Sequence, residues 1–317
     1  MEAVIQPVDR HLIIKELTAD KFIRETRKGG NYLFEVTAED SPMVMREIGR
    51  LREISFRLGG GGTGKHIDID AYDTDPQYPY KQLIVWDPKD QEIIGGYRYI
   101  NCGGIGIEKM ATSELFNFSE EFKNEYLPFT IELGRSFIQP NYQSTNLKRK
   151  SLYSLDNLWD GLGALVVKYS HIKYFFGKVT MYPSYNPSAR NMLLHFLHKY
   201  FTDSQNLVTP IIPLSCDKDN PYFADLFNGL DYKEGYKILQ KELKNFGEHI
   251  PPLINSYMNL SPSMKMFGTA INTEFGQVEE SGILVHIPDI YPEKIERYIG
   301  PLKAWAQKMR VKWWRKK

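Results

Sequence analysis

Charged side chains recur inside segments whose apolar neighbours mark them as packed, and this pattern limits the folds open to the chain. The segment Glu132-Leu-Gly-Arg-Ser-Phe-Ile138 places a carboxylate and a guanidinium in a strand-like run. Three polar signatures precede it: Arg52-x-x-x-Phe56, Asp68-Ile-Asp-Ala-Tyr-Asp73 and Gly95-Gly-Tyr-Arg98. Because burying an unpaired ion costs several kcal/mol, the fold must pair these charges or hold a polar ligand among them.

The apolar periodicity predicts an α/β fold with a mixed central sheet flanked by helices. Strands are predicted over residues 31–37, 82–86, 92–100, 129–138, 174–182 and 279–287, the second and third forming a hairpin around Asp87-Pro88. Helices are predicted over 42–59, 156–169 and 187–201, with 203–250 mostly helical. We expect an N-terminal extension over 1–40, one domain over 41–298 and a C-terminal tail over 299–317.

The overall charge excludes a polyanionic partner held by bulk electrostatics. The 317 residues carry a net charge of +1, so we expect no nucleic-acid partner. Cys102 and Cys216 lack metal or disulfide spacing, and we predict no metal site. The first residues lack the features of a secretory signal, and no apolar run reaches the roughly 18–20 residues of a membrane span. We therefore expect a cytoplasmic protein.

The last seventeen residues are strongly basic and contain no acidic side chain. They carry seven positive charges, so the net charge of +1 leaves the rest of the chain at −6. Leu302, Trp305, Met309 and Trp313 form one helical stripe among these cations. A basic amphipathic helix with tryptophan is typical of segments that lie on an anionic membrane. Packing of the tail on the domain is the alternative, so peripheral contact with the inner membrane face stays open.

The glycine-rich segment Gly59-Gly-Gly-Gly-Thr-Gly-Lys65-His66 is one residue short of a phosphate-binding P-loop. That motif requires Ser or Thr after the lysine and a strand before the loop, whereas here His66 follows Lys65 and a helix precedes. A helix capped by glycine and followed by a mobile loop is therefore favoured. Such a loop is a candidate for closing over a substrate.

Glu132 and Arg135 are three residues apart, which would place their side chains on opposite faces of a regular strand. Gly134 between them is a candidate for a β-bulge, which re-aims side chains and is common beside active sites. The spacing of Asp70 and Asp73 raises the same question. A structural network of ion pairs between arginines and these acids is the alternative, and the residues alone do not decide between the two.

Gly161 and Gly163 follow Leu158-Trp-Asp in an apolar segment. Free backbone N–H groups at a helix start favour an anion such as a phosphate. Close packing between a helix and a sheet uses the same small residues, so both interpretations are open.

The order of four signatures, Arg52-x-x-x-Phe56, Asp70-x-Tyr-Asp73, Gly95-Gly-Tyr-Arg98 and Glu132-x-Gly-Arg135, resembles that of the N-acyltransferases of ornithine-lipid and glycine-lipid synthesis. These enzymes and the related acyl-homoserine-lactone synthases belong to the GNAT-like superfamily. The amino-lipid branch, sometimes labelled hemolysins, is the nearer match, especially its Bacteroides-type glycine N-acyltransferases. Two later features support it, Leu158-Trp-Asp-Gly-Leu-Gly163 and Pro251-Pro-Leu-Ile-Asn-Ser-Tyr257 leading to Phe275-Gly. Gly134 stands where the lactone synthases carry serine, which weighs against that branch. The resemblance covers residues 44–290.

This resemblance implies a GNAT-like acyltransferase fold and a long-chain acyl group, 3-hydroxylated chains included, as the group transferred. The acceptor is the α-amine of glycine or ornithine, and the donor is a phosphopantetheine thioester on acyl carrier protein, with no resident cofactor. Leu158 stands where acetyl-CoA-dependent members carry Gln or Arg, which favours the carrier protein over acyl-CoA. An acetyl-CoA-dependent acetyltransferase and a non-enzymatic, hemolysin-like protein that acts on membranes are the two other open functions.

The resemblance also suggests roles for the signature residues, with Glu132, Asp73 and Arg135 as the catalytic group. A thioester needs only alignment, a deprotonated amine and a stabilised oxyanion, so Glu132 is the first candidate for the base and Asp73 the second. An arginine binds a carboxylate through two parallel hydrogen bonds; the candidates, in order, are Arg135, Arg98 and Arg52. The remaining assignments are Phe56, Asp70 and Gly134 for the substrate, and Gly161 and Gly163 for the donor phosphate.

Overall fold

A computed structural model describes residues 1–143, 153–218 and 220–300. The chain divides into two compact units, the first formed by residues 1–102, 131–172 and 290–317 and the second by residues 103–130 and 173–289. The basic tail predicted to contact a membrane lies outside the described residues from Pro301 onward. Among the helices of the described ranges, none has the length and apolar character that crossing a bilayer requires.

The first unit contains an antiparallel sheet with helices packed against it. In spatial order its strands are β1 (Phe22–Glu25), β2 (Tyr32–Val36), β3 (Lys81–Asp87), β4 (Glu92–Asn101) and β6 (Thr130–Ile138). Its helices are α1 (Arg10–Glu16), α2 (Pro42–Gly59), α3 (Ser154–Lys168) and α8 (Pro292–Tyr298). Consecutive residues of β3 and β4 are buried, so both faces of these strands are covered. Helix α3 contacts both strands and covers one of the two faces.

The long helix α2 begins and ends where the sequence predicts. Ser41 and Pro42 start it, because proline at the first helical position has no N–H to leave unpaired. Gly60 ends it in the left-handed conformation, with φ of 94°. Its apolar stripe is buried against the unit.

The glycine loop after α2 is held by a carboxylate of the same helix. Glu53 accepts hydrogen bonds from the backbone N–H of Thr63 at 3.0 Å and of Gly64 at 2.8 Å, and from the hydroxyl of Thr63 at 2.8 Å. Arg57 donates to the same carboxylate. The loop N–H groups that a phosphate would bind therefore already bind Glu53, which agrees with the rejection of a P-loop.

The second unit contains the antiparallel ladder β7 (Tyr174–Met181), β10 (Val278–His286) and β9 (Lys265–Asn272), and the pair β5 (Phe116–Phe118) and β8 (Val208–Pro210). A parallel bridge joins Thr202 to Met266. Its helices are α4 (Pro187–Tyr200), α5 (Pro221–Leu226), α6 (Tyr232–Asn245) and α7 (Pro252–Met258). Helix α6 can approach α4 closely because residue 235 is a glycine. A Cβ at this position would lie 2.6 Å from the Tyr200 hydroxyl.

The predicted α/β fold is confirmed, and the predicted helices and individual strands agree with the structure to within two residues at each end. The prediction that residues 203–250 are mostly helical is wrong: α5 and α6 cover less than half of them, and β8 with irregular chain covers the rest. The sequence prediction also missed the helices α1, α7 and α8 and the strands β1, β5, β8 and β9. All of these except β9 have seven residues or fewer, and Gly268 with φ of 91° interrupts the alternation in β9.

Candidate active site

Elements of the first unit bring the charged signatures together. Helix α2 provides Arg52, β4 provides Arg98, and β6 provides Glu132 and Arg135. The acids come from the segment 67–73, between the glycine loop and β3. We call the three arginines and Asp68, Asp70 and Asp73 the arginine–aspartate cluster.

The segment 67–73 can lie directly on α2 because residue 49 is a glycine. A Cβ at Gly49 would be 2.7 Å from a side-chain carbon of both Ile67 and Ile69, which is closer than packed carbon atoms come. The backbone N–H of Asp68 donates to the carbonyl of Gly49 at 3.1 Å. This close approach places the acids within reach of the arginines.

Arg52 and Asp73 form an ion pair whose side chains are both 0% exposed. Nη1 of Arg52 lies 3.0 and 3.2 Å from the two carboxylate oxygens of Asp73. Gln82 of β3 joins the pair: its Oε1 accepts from Nη2 of Arg52, and its Nε2 donates to Asp73 at 2.9 Å. The pair ties α2 to β3, and its complete burial favours a structural role for Arg52.

Arg98 links the inner pair to the outer acid. Its Nη1 donates to both oxygens of Asp70 at 2.7 Å and to Asp73 at 3.3 Å. Its guanidinium carbon lies 5.1 Å from the ring centre of Tyr80 and 5.7 Å from that of Tyr72, within the range of cation–π attraction. Arg98 is therefore fixed from several sides and is 3% exposed.

The cluster shifts the pKa values of its members in opposite directions. Burial alone would raise the pKa of Asp73, but the positive charges of Arg52 and Arg98 outweigh it and hold that pKa well below its usual range. Burial alone would lower the pKa of Arg98, but the charges of Asp73 and Asp70 raise it instead. Both groups stay charged at neutral pH, and a carboxylate with such a low pKa is a weak base.

A β-bulge on β6 re-aims Arg135. Gly134 pairs with Arg98 and Phe137 with Gly96, so two residues of β6 face one residue of β4. Arg135 has a φ of 47°, in the left-handed region that few non-glycine residues occupy. The predicted bulge is thus present, and it lies one residue after Gly134.

The bulge brings Arg135 to the side of the sheet that carries Arg98. Nε of Arg135 lies 3.0 Å from a carboxylate oxygen of Asp68, and Nη2 lies 3.5 Å from Asp70. Asp70 also binds Arg98, so the two arginines reach one carboxylate. Glu132 pairs with Ile100 of β4, two residues from the Gly134–Arg98 pair, and therefore faces the same side.

Glu132 is 1% exposed and accepts a hydrogen bond from the hydroxyl of Tyr80. Cys102 lies nearby: burial, and then the negative charge of Glu132, raise the pKa of its thiol well above the ordinary value. The thiol is therefore protonated at neutral pH. Glu132 is a buried carboxylate three residues before Arg135 and on the same face of β6.

Exposure separates the members of the cluster. The side chain of Arg135 is 13% exposed and that of Asp70 is 29% exposed, whereas those of Arg52 and Asp73 have no exposed surface. An incoming ligand therefore meets Arg135 and Asp70 first. Phe56, one turn after Arg52 in α2, is buried.

The three glycines assigned to substrate or donor take different positions. A Cβ at Gly134 would make only ordinary contact with Arg98, at 3.4 Å. A Cβ at Gly161 would clash with Leu83 at 2.7 Å, and one at Gly163 with the carbonyl of Tyr298 at 2.3 Å. Both lie inside α3, where backbone N–H groups belong to the helix. This favours the packing interpretation of Gly161 and Gly163 over a phosphate site.

Several residues of the site carry no signal in the sequence. Tyr80 and Gln82 precede or begin an ordinary strand, and Gly49 lies in the middle of a helix, so only the tertiary contacts identify them.

Two surface cavities, of about 340 and 260 Å³, are lined by residues outside the arginine–aspartate cluster, including Arg27 and Arg297 in one and Gln91 and Asn141 in the other. Within the described ranges, no group of three or more His, Cys, Asp or Glu side chains is arranged to hold a metal ion.

Comparison with known proteins adds a family to this geometry. Residues 51–151 match the acetyltransferase (GNAT) domain family. The chain is 53% identical to the glycine N(alpha)-acyltransferase of Bacteroides thetaiotaomicron, over 94% of this chain and 90% of that protein. It is 52% identical to the glycine N(alpha)-acyltransferase of Phocaeicola vulgatus, over 94% and 93%.

Two solved structures are more distant. FeeM, an N-acyl amino acid synthase from uncultured soil microbes, is 9% identical with a TM-score of 0.41, over 82% of this chain and 93% of that one. The AHL synthase LasI is 16% identical with a TM-score of 0.34, over 53% and 78%. The identity of more than half over nearly the whole chain decides the assignment: the chain belongs to the GNAT-like family of amino-acid N-acyltransferases.

Proposed function

We propose that the protein transfers a long-chain fatty acyl group from acyl carrier protein to the α-amine of glycine. The observation that carries the proposal is that one face of β6 holds both the buried carboxylate of Glu132 and the partly exposed guanidinium of Arg135, which binds Asp68. Glycine as acceptor is supported by the two relatives named glycine N(alpha)-acyltransferase.

In the proposed reaction, Arg135 binds the carboxylate of glycine and so orients the amine toward the thioester carbonyl. The glycine ammonium loses one proton, and the amine nitrogen then attacks the carbonyl carbon. The carbon–sulfur bond breaks, the nitrogen loses a second proton, and the thiolate leaves as a protonated pantetheine thiol. The products are N-acylglycine and free carrier protein.

Glu132 is the proposed proton acceptor, directly or through water, because it lies on the same face of β6 as Arg135 and its carboxylate is held in place by Tyr80. Asp73, the second candidate from the sequence, is given a positioning role instead, because its ion pairs with Arg52 and Arg98 hold its pKa well below its usual range. An N–H group freed from the ladder at the bulge after Gly134 is the proposed donor to the thioester oxygen.

The charges of the cluster favour glycine over ornithine. Ornithine brings a second amine, which needs a carboxylate partner when it is desolvated. In the described part of the first unit, Asp68, Asp70 and Asp73 already bind arginines, and Glu132 binds Tyr80. A second ammonium would have to compete with a guanidinium for any of these aspartates.

The carrier-protein donor and the long acyl chain, with or without a 3-hydroxyl, rest on the family resemblance. Purified protein should be supplied with glycine or ornithine and, in separate reactions, palmitoyl carrier protein, 3-hydroxypalmitoyl carrier protein, palmitoyl-CoA or acetyl-CoA. Mass spectrometry of the products names acceptor and donor together. Product from acetyl-CoA alone would establish the acetyltransferase instead.

Glu132→Gln tests the proposed base, because it removes the charge while keeping an acceptor for Tyr80. Loss of general-base catalysis lowers kcat by roughly 10²–10⁴-fold, and Glu120→Gln, at an exposed carboxylate, is the matched control. Arg135→Ala should raise KM for glycine. If folded Glu132→Gln and Arg135→Ala proteins both kept near-normal transfer, the active site would lie elsewhere.

A further inference from the structure

Helix α6 presents a row of lysines to solvent. Lys233, Lys237 and Lys241 follow one another at four-residue spacing, and Lys244 comes three residues later, so all four lie on one face of the helix. All four are exposed, and within the described ranges none of them forms an ion pair. We call these four residues the lysine face.

The lysine face stands out from the charge of its own unit. The second unit carries 12 Lys and Arg against 17 Asp and Glu, a net charge of −5. Four of these 12 cations lie within the 12 residues from 233 to 244. Lysines at four-residue spacing repel one another. Of the two carboxylates of α6, Glu234 lies three residues before Lys237 but accepts a hydrogen bond from the backbone N–H of Asp231 at 3.2 Å, and Glu242 has no lysine of the row three or four residues away.

The opposite side of α6 fixes the helix to the unit. Leu239 and Leu243 are fully buried, and Gly235 packs against Tyr200. A capping box between Asp231 and Glu234 closes the first turn. The lysine ammonium groups are therefore displayed by a rigid helix, as a row about 16 Å long at 1.5 Å per residue.

We infer that the lysine face docks the acidic face of a helix in a partner protein. An interfacial membrane helix inserts its apolar side into the bilayer, and the apolar side of α6 is already buried in the unit. Of the α6 residues three or four positions from a lysine of the row, Glu234, Gln240 and Asn245 are exposed, while Tyr236 and Ile238 are half-buried, so no exposed aromatic or aliphatic side chain is available to insert. A straight row of separated point charges matches carboxylates spaced along a second helix, and complementary charge of this kind speeds association.

Acyl carrier protein is the acidic partner that the proposed function supplies, and the inference rests on that function for this choice of probe. Binding of purified holo-acyl carrier protein should be measured for the wild type and for Lys237→Glu/Lys241→Glu. The control is Lys15→Glu/Lys89→Glu, which changes the net charge equally at exposed positions of the first unit. Reversal of two interface charges should weaken binding at least about tenfold, and the control by no more than about twofold.

A second readout separates docking from folding. For Lys237→Glu/Lys241→Glu, KM for the acyl carrier protein donor should rise by a similar factor, while kcat and the rate with a palmitoyl-pantetheine thioester stay unchanged. Equal affinity of both double variants for the carrier protein overturns the inference. So does unchanged carrier-protein binding with lost binding to phosphatidylglycerol vesicles, because the lysine face would then be a membrane contact.

The two proposals fail separately. If the wild type acylates glycine from the carrier protein and the lysine variants leave affinity and KM unchanged, only the docking inference falls. If the wild type makes no N-acylglycine from any carrier-protein donor, the proposed function falls, and the binding measurement still decides whether the lysine face holds this acidic protein.

Discussion

The arginine–aspartate cluster and the lysine face hold positive charge in opposite ways. In the cluster each arginine contacts a carboxylate, and Arg52 and Asp73 have no exposed surface. On the lysine face four exposed ammonium groups follow one another within the helix. A buried charge needs an opposite charge beside it, because a lone buried ion costs several kcal/mol. Exposed like charges can lie close together, because water and salt weaken the repulsion between them. The first arrangement fixes geometry, and the second acts at a distance on a partner.

The largest effect should come from removing a charge inside the cluster. Asp73→Asn leaves Arg52 buried without its counter-charge, and breaking a buried pair in this way costs about 3–5 kcal/mol of unfolding free energy. Urea unfolding at pH 7 measures the difference. Lys237→Gln, which removes a charge from the lysine face, is the contrasting control and should not destabilise the protein. If Asp73→Asn lowered the unfolding free energy by less than about 1 kcal/mol, the Arg52–Asp73 pair would contribute no more than an exposed salt bridge does.

The pH dependence of the same variant sharpens the comparison. The pKa of Asp73 is held below its usual range in the folded protein, so its stabilisation is fully present above the unfolded pKa of about 3.9 and is lost as pH falls further. The stability gap between wild type and Asp73→Asn should therefore stay constant from pH 7 to about pH 5 and narrow below about pH 4. Urea midpoints across this range test it, and a gap that already closes near pH 6 would assign the effect to another group.

The sequence predicted the members of the cluster better than their contacts. Charges inside apolar runs required partners, and Arg52, Arg98 and Arg135 do bind the aspartates. The bulge was predicted from the spacing of Glu132 and Arg135, because opposite faces would have separated them. Its position at Arg135 depends on the register between β4 and β6, which a single strand does not specify.

Other parts of the site depend on tertiary contacts alone. The proximity of Tyr80 to Glu132 and of Gln82 to Arg52 arises where separate elements meet, so no local pattern marks these residues. Gly161 and Gly163 show the converse: the pattern suggested a phosphate site, and the contacts with Leu83 and Tyr298 explain both glycines by packing. The lysine row was visible in the sequence, but its significance depends on which side of α6 is buried.

A smaller effect should follow from moving the acids relative to α2. In Gly49→Ala the new methyl group would lie 2.7 Å from Ile67 and Ile69, so the segment 67–73 must shift, at a cost of roughly 1–3 kcal/mol. Gly134→Ala is the matched control for stability, because its methyl group meets Arg98 at an ordinary 3.4 Å. Unfolding and acyl transfer should be measured on both. Equal stability of the two variants would show that the close approach at Gly49 does not hold the acids in place.

The smallest effect should be a gain in stability on the lysine face. Lys237 has lysine neighbours four residues away on both sides, and each like-charge pair destabilises a helix by about 0.2–0.5 kcal/mol. Lys237→Gln removes both repulsive pairs, together with the attraction to Glu234 three residues earlier, and keeps a good helix former, so it should raise the unfolding free energy by up to about 0.5 kcal/mol at low salt. The gain should disappear in 0.5 M NaCl, because salt screens exposed charges.

The same substitution should weaken binding of acyl carrier protein, so that stability and partner affinity change in opposite directions. No such opposition is expected in the cluster, where Asp73→Asn should lower stability and activity together. Thermal unfolding and carrier-protein titration of Lys237→Gln, at low and high salt, measure both quantities on one sample. If the variant became more stable and bound the carrier protein as tightly as the wild type, these lysines would repel one another without contributing to carrier-protein binding. The lysine face would then be solvated helix surface alone.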